Sequence, residues 1–113
     1  MKKIEIIIRP EKLDEVRALL DDLGVTGLMI TSITGYGNQK GLAEHHLKNT
    51  PKKAGLVSQY KLETVVGDEK VDGIINSIIN TVATGEPGDG KIFVYNVEDA
   101  IRIRTGEKGE SAM

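Results

Sequence analysis

A chain of 113 residues with a formal net charge of -2 suits one domain and excludes a strongly basic nucleic-acid binder as the default. The absence of cysteine removes disulfides, thiolate metal sites and thiol nucleophiles together, and fits a reducing compartment. One Phe, three Tyr and no Trp leave few platforms for stacking single-stranded bases.

The N-terminus, Met1-Lys2-Lys3-Ile4-Glu5, runs straight into apolar alternation without the longer apolar run of a signal peptide. No stretch approaches the ~18 uncharged residues of a membrane helix. A soluble, cytoplasmic protein is expected. Ile4, Ile6 and Ile8 share one face of a first strand. Pro10 opens a helix, and Leu13, Val16, Leu19, Leu20 and Leu23 form its apolar stripe up to a cap at Gly24. A second strand is expected from about Leu28 to Thr34. From Gly35 to about Ser58 no period is sustained, and a structureless loop of that length reads as a functional arm.

Tyr60, Leu62, Thr64 and Val66 alternate as a third strand, with Gly67-Asp68 as turn and N-cap. Val71, Ile74, Ile75, Ile78, Ile79 and Val82 make a second helix stripe ending at Gly85. A fourth strand covers Lys91 to Val97. Ile101 to Arg104 is expected to add a short edge strand, and Glu107 to Met113 reads as a polar tail. Strand-helix-strand occurs twice. Its natural closure is an α+β, ferredoxin-like βαββαβ sandwich: a four-stranded antiparallel sheet with both helices on one face. The second and fourth strands carry apolar residues at both parities (Met29, Ile30; Ile92, Phe93, Val94), which calls for a cover on the other face by neighbouring subunits.

Three clusters invite chemistry. In Thr84-Gly85-Glu86-Pro87-Gly88-Asp89-Gly90-Lys91, the glycines free backbone N–H groups to approach an anion and Lys91 adds charge. Gly85 to Lys91 matches seven positions of a Walker loop, but Ile92 stands where Ser or Thr belongs, and the helix precedes the strand. A helix cap followed by a glycine-rich turn explains the same residues. On a strand, Arg102 and Arg104 would point the same way about 7 Å apart, suiting a polyphosphate or simply a charged edge. Gly35-Tyr36-Gly37-Asn38-Gln39-Lys40-Gly41, at the root of the long loop, would wrap a phosphate or serve as a flexible hinge. Within the loop stand Glu44, His45, His46, Lys48, Lys52 and Lys53. Four lysines against one glutamate from Lys40 to Lys53 leave a charge of +3, which suits an acidic partner surface. The two histidines lack companion metal ligands at useful spacing. No nucleophile, base and oxyanion site assemble, so no enzyme is expected.

Together these stretches resemble the P-II nitrogen-regulatory family. Met1-Lys2-Lys3-Ile4, Arg9-Pro10 and Lys12-Leu13 look like its first strand and helix. Gly35 to Gly41 resembles the base of its T-loop, Thr84 to Val94 its B-loop and last strand, and Ile101-Arg102-Ile103-Arg104-Thr105-Gly106-Glu107 its C-loop. The resemblance covers the whole chain as one domain, with the T-loop at about 37–59, the B-loop at about 84–91 and the C-loop with the C-terminal segment at about 101–113. It implies a homotrimer that binds ATP or ADP between subunits. Gly88, Asp89, Gly90 and Lys91 would hold phosphates from one side, and Arg102 and Arg104 from the neighbour. Ile7, Gly35, Gly37, Asn38, Lys40, Glu63, Thr64 and Val65 would surround the nucleotide, with Gln39 near Mg2+. The T-loop would dock on a transporter, for polyamine or ammonium, or on a metabolic enzyme.

Departures from the family pattern shape the functional expectation. Asn49-Thr50-Pro51-Lys52 lacks the tyrosine that uridylylation needs, and Asn38 replaces an arginine. Ser58-Gln59-Tyr60 stands where a lysine grips 2-oxoglutarate. Losing that ionic partner costs roughly 1.5–3 kcal/mol, or tenfold to hundredfold in affinity. The expectation is therefore an adenylate energy sensor resembling a divergent branch linked to polyamine uptake. The alternatives are a nitrogen regulator that also senses 2-oxoglutarate with Mg-ATP, a weak ATPase, and an RNA-binding module using Phe93 and Tyr95.

Overall fold

The computed structural model describes residues 1–36 and 55–113. The calls on Gly37, Asn38, Gln39, Lys40, Glu44, His45, His46, Lys48, Lys52 and Lys53, and most of the T-loop, fall outside these residues. The elements are β1 (Lys2–Ile8), α1 (Leu13–Asp22), β2 (Met29–Tyr36), β3 (Leu56–Val66), α2 (Val71–Val82) and β4 (Lys91–Asn96). The strands form one antiparallel sheet in the order β2-β3-β1-β4. Each strand-helix-strand unit is split by the first strand of the other unit, which is the expected ferredoxin-like arrangement.

The alternation in β1 decides where the core sits. Ile4, Ile6 and Ile8 point to the helices and are buried, together with Val16 and Leu20 of α1, Leu62 and Val66 of β3, and Val71, Ile74, Ile78 and Val82 of α2. These positions recur at intervals of two on the strands and of three or four on the helices, so both periods converge on one interior. Pro10 starts a 3-10 turn (Pro10–Lys12) that feeds α1. Gly24 ends α1 at a φ of +79°, and the Val25 N–H reaches back to Leu20 O at 3.0 Å.

Four local expectations are corrected. β2 and β3 are longer than the sequence pattern suggests and stay paired to Tyr36↔Leu56, so Leu56 to Gln59 belong to a strand and not to the arm. A two-stranded ladder tolerates the polar and glycine residues that broke the apolar period. Asp68 does not cap α2; its carboxylate meets the Met1 ammonium at 2.9 Å. Ile101 to Arg104 is a turn and not an edge strand: Ile101 bridges Lys108, and Gly106 N–H donates to Arg102 O at 2.7 Å. The stretch after it turns back as a 3-10 segment (Gly109–Ala112) against the body.

The face of the sheet away from the helices carries Lys3, Glu5, Ile7, Lys61, Glu63, Phe93 and Tyr95. Lys3 bonds Glu63 at 3.0 Å and stands 4.6 Å over the Tyr95 ring, and Tyr95 donates to Glu5 at 3.1 Å. The edge strands leave Met29, Ile30, Phe93, Val94 and Tyr95 exposed. Among the described residues no helix is long and apolar enough to cross a membrane.

Candidate functional site

The loop between α2 and β4 is held by its own side chains. α2 stops when Ala83 becomes extended, and Gly85, Gly88 and Gly90 follow with φ of +85°, +99° and +107°. Asp89 is the organiser. Its carboxylate accepts from Thr84 N–H at 2.8 Å, Gly85 N–H at 2.9 Å and Thr84 Oγ1 at 2.6 Å. Arg9, at the end of β1, clamps the loop from the other side, donating to Gly88 O at 3.1 Å and to Asp89 Oδ1 at 3.2 Å. Gly90 lies against the Ile7 carbonyl so closely that a Cβ would overlap that oxygen.

Beside this loop lies a groove of about 620 Å³. Its walls include Ile7, Ile33, Gly35, Gln59, Phe93 and the run from Glu86 to Lys91. Ile7, Gly35, Gly88, Asp89, Gly90 and Lys91, chosen from the sequence, therefore meet in one place. Lys91 lines the groove, and it has no ion-pair partner among the described residues. Asp89 works inward, shaping the loop that would hold phosphate. The hydrogen bond from Thr84 is the main cause holding its carboxyl below the usual aspartate value of 3.8, with the Arg9 guanidinium a smaller one.

A pH prediction follows from that direction. The folded value is depressed, so the stabilisation is complete above the ordinary aspartate range and is lost only as pH falls through the lower folded value. Amide resonances of Thr84 and Gly85 should hold steady from pH 7 down through the ordinary range and move only below it. In Asp89→Asn they should already be displaced at pH 7, because one amide oxygen cannot serve three donors. An NMR titration reads both.

Glu63, Thr64 and Val65 do not line this groove. Glu63 is paired with Lys3 and Lys61 at 3.0 and 3.6 Å, and its carboxyl is pushed down chiefly by the Lys3 hydrogen bond. Thr64 is buried and donates to Gly27 O at 2.5 Å. Thr64 and Val65 line a second groove with the Gly24 to Met29 loop, Ala100, Ala112 and Met113. Arg102 stands in the turn after β4, half-buried, and Arg104 is exposed in the same turn. The turn replaces the parallel pair of arginines expected on a strand.

The sequence reading missed Arg9 as the clamp and Gln59, Ile33 and Phe93 as walls. Arg9 ends a strand next to Pro10, a position that alone gives no hint of contact with a loop some 79 residues away. Gln59 is buried beside Gly35, where a Cβ would come within 2.8 Å of its Oε1. An isolated Gln in a polar stretch carries no such signal. Among the described residues no cluster of three metal-type ligands occurs.

A family model described as nitrogen regulatory protein P-II matches residues 1–107. The chain belongs to the P-II family. It is 52% identical over 113 residues to a nitrogen regulatory protein P-II of Haemophilus influenzae, covering all of both chains. It is 50% identical to that of Pasteurella multocida and 45% identical to nitrogen regulatory protein P-II 1 of Escherichia coli, again over 113 residues and all of both chains. The family is one of signalling regulators that act on partner proteins. Within this P-II fold, the glycine loop and the arginine turn stand at opposite ends of β4.

Proposed function

We propose that the chain acts as a homotrimer that reads ATP against ADP in clefts between protomers and passes the result to a partner through the arm between β2 and β3. The supporting observation is the division of the site. Lys91 opens β4, and Arg102 follows beyond its last residue, Asn96; at about 3.3 Å per residue the strand spans roughly 16 Å from Lys91 to Asn96, and Ala100, just before the arginine, lies beside Val65 and Val66 at that far end. Charge-assisted contacts to phosphate need about 2.7–2.9 Å. In this reading a phosphate held at the glycine loop of one protomer meets the arginines of an adjacent copy. The exposed apolar side chains support this assembly: Phe93 and Val94 on β4, Met29 on β2, and Ile103, which is 100% exposed beside the arginines.

In this arrangement the amides of the Gly88 to Gly90 turn and the Lys91 ammonium would receive phosphate from one protomer. Arg102 and Arg104 would close on it from the next. Gly35 begins the arm's root and also walls the groove, so occupancy at the phosphate loop would reach the arm directly. The two nucleotides would favour different arm conformations to the extent that they bind them unequally. The binding site requires no catalytic group, and the chain is a sensor in this reading. Docking of the arm on the cytoplasmic face of a transporter, or on a metabolic enzyme, fits its excess of lysine from Lys40 to Lys53.

Arg102→Ala with Arg104→Ala tests the site. Titration calorimetry should show at least about a hundredfold loss of ATP affinity, since each hydrogen bond to a charged group contributes roughly 1.5–3 kcal/mol. Light scattering should still report a trimer. Unchanged ATP affinity would refute the assignment. The nitrogen-regulation name carried by the relatives favours a second reading, in which 2-oxoglutarate joins Mg-ATP in the same cleft. Repeating the titration with 2-oxoglutarate present separates the two.

A further inference from the structure

We propose that the segment from Glu107 to Met113 is a built-in competitor of the nucleotide, occupying Arg102 and the adjoining groove until a ligand displaces it. The inference rests on Arg102 being a phosphate ligand. The turn after β4 doubles the chain back: Arg102 N–H donates to Glu107 O at 2.9 Å, and Gly109 N–H to Ala100 O at 2.9 Å. This brings the end of the chain over the arginine. Arg102 Nη1 lies 3.4 Å from a Glu107 carboxylate oxygen, and Nη2 donates to Ser111 O at 3.1 Å and to Met113 O at 3.5 Å.

The position of those acceptors matters more than their number. An arginine grips a phosphate with two parallel N–H groups. Nη2 belongs to both forked edges of the guanidinium that can do so, the end-on and the side-on. Both of its hydrogen-bond contacts are to backbone oxygens of the tail. Neither fork is therefore free while the tail is seated. The three acceptors, the Glu107 carboxylate among them, supply the kind of oxygens that a phosphate would offer.

The same segment also lies beside Thr64 and Val65, two residues expected from the sequence to surround the nucleotide. Ala112 and Met113 share a groove of about 740 Å³ with Thr64 and Val65. Displacement would cost little packing, because the Gly109–Ala112 segment buries no residue fully and Met113 is 47% exposed. A nucleotide would thus exchange one set of acceptors for another without opening the core. If the seated tail outweighs the released one by about ten to one, apparent affinity is lowered about tenfold.

The test compares ATP affinity by calorimetry for the intact chain, a chain ending at Lys108, Glu107→Gln and Arg102→Ala. Shortening should tighten binding by about three- to tenfold, and Glu107→Gln should tighten it by a smaller factor. In the intact chain, ATP should speed hydrogen exchange at the amides of Gly109 to Met113. If shortening leaves affinity unchanged or weakens it while Arg102→Ala loses binding, the tail is no competitor although the site stands. If Arg102→Ala keeps full affinity, the site reading fails and this inference with it. Should the shortened chain not assemble, Glu107→Gln and the exchange rates decide, and slower exchange with ATP would overturn the proposal.

Discussion

Gly90→Ala should leave calorimetry with ATP showing at least about a hundredfold weaker binding, the largest effect expected of any one-methyl change in this chain. Two causes act together. The residue sits at a φ of +107°, a region that L side chains rarely adopt, and the added Cβ would overlap the Ile7 carbonyl. That carbonyl belongs to a central strand paired on both sides, so it cannot retreat without loosening β1. The loop must move instead, and with it the amides proposed to hold phosphate and the approach of Lys91. Gly85→Ala is the natural comparison. Its φ of +85° carries similar strain, but nothing lies within 4 Å of the new methyl. It should cost about 1 kcal/mol of stability and change ATP affinity only severalfold. Equal losses in the two variants would show that strain, and not the collision with β1, governs the loop.

Ile6→Ala is the second large effect, on stability. Ile6 is fully buried, pairs in register with Leu62 on β3 and Ile92 on β4, and sits beneath both helices. Removing three carbons from a site walled on every side leaves a cavity that neighbours fill poorly. The expected loss is about 2–5 kcal/mol, against a total of roughly 5–15 kcal/mol for a domain of this kind. Urea unfolding at fixed protein concentration should show a lower midpoint with an unchanged slope. The concentration must be fixed because assembly contributes to the apparent stability. Ile79→Ala should cost well under half as much, since Ile79 is 49% exposed although it shares the α2 stripe. A loss at Ile79 as large as at Ile6 would place the core elsewhere than between α2 and the sheet.

The contrast between Ile6 and Ile79 marks a limit of pattern reading. Spacing placed both in apolar stripes, and only the packing of α2 on the sheet distinguishes a wall from a rim. The same limit appears in the arm. Glycine and polar residues from Gly35 onward break the apolar period, yet the backbone pairing of β2 with β3 continues to Tyr36↔Leu56. Hydrogen bonding along a ladder does not depend on side-chain polarity, so periodicity underestimates strand length at an edge.

Local rules were decisive where the physics is local. Among the described residues, the two-residue and three-to-four-residue periods located every strand and both helices, and their twofold succession implied the split βαβ sheet. The glycine run with Lys91, and the paired arginines, stood out as anion-binding candidates because residue type alone determines backbone freedom and charge. Tertiary structure decided the rest. It set Arg9 against the Gly88 carbonyl, turned Asp89 inward as the loop's organiser, bent Ile101 to Arg104 into a turn, and folded the tail onto Arg102. Each of these joins residues from separate elements or depends on the direction of a turn. Such contacts follow from how packed elements meet, which spacing along the chain does not encode.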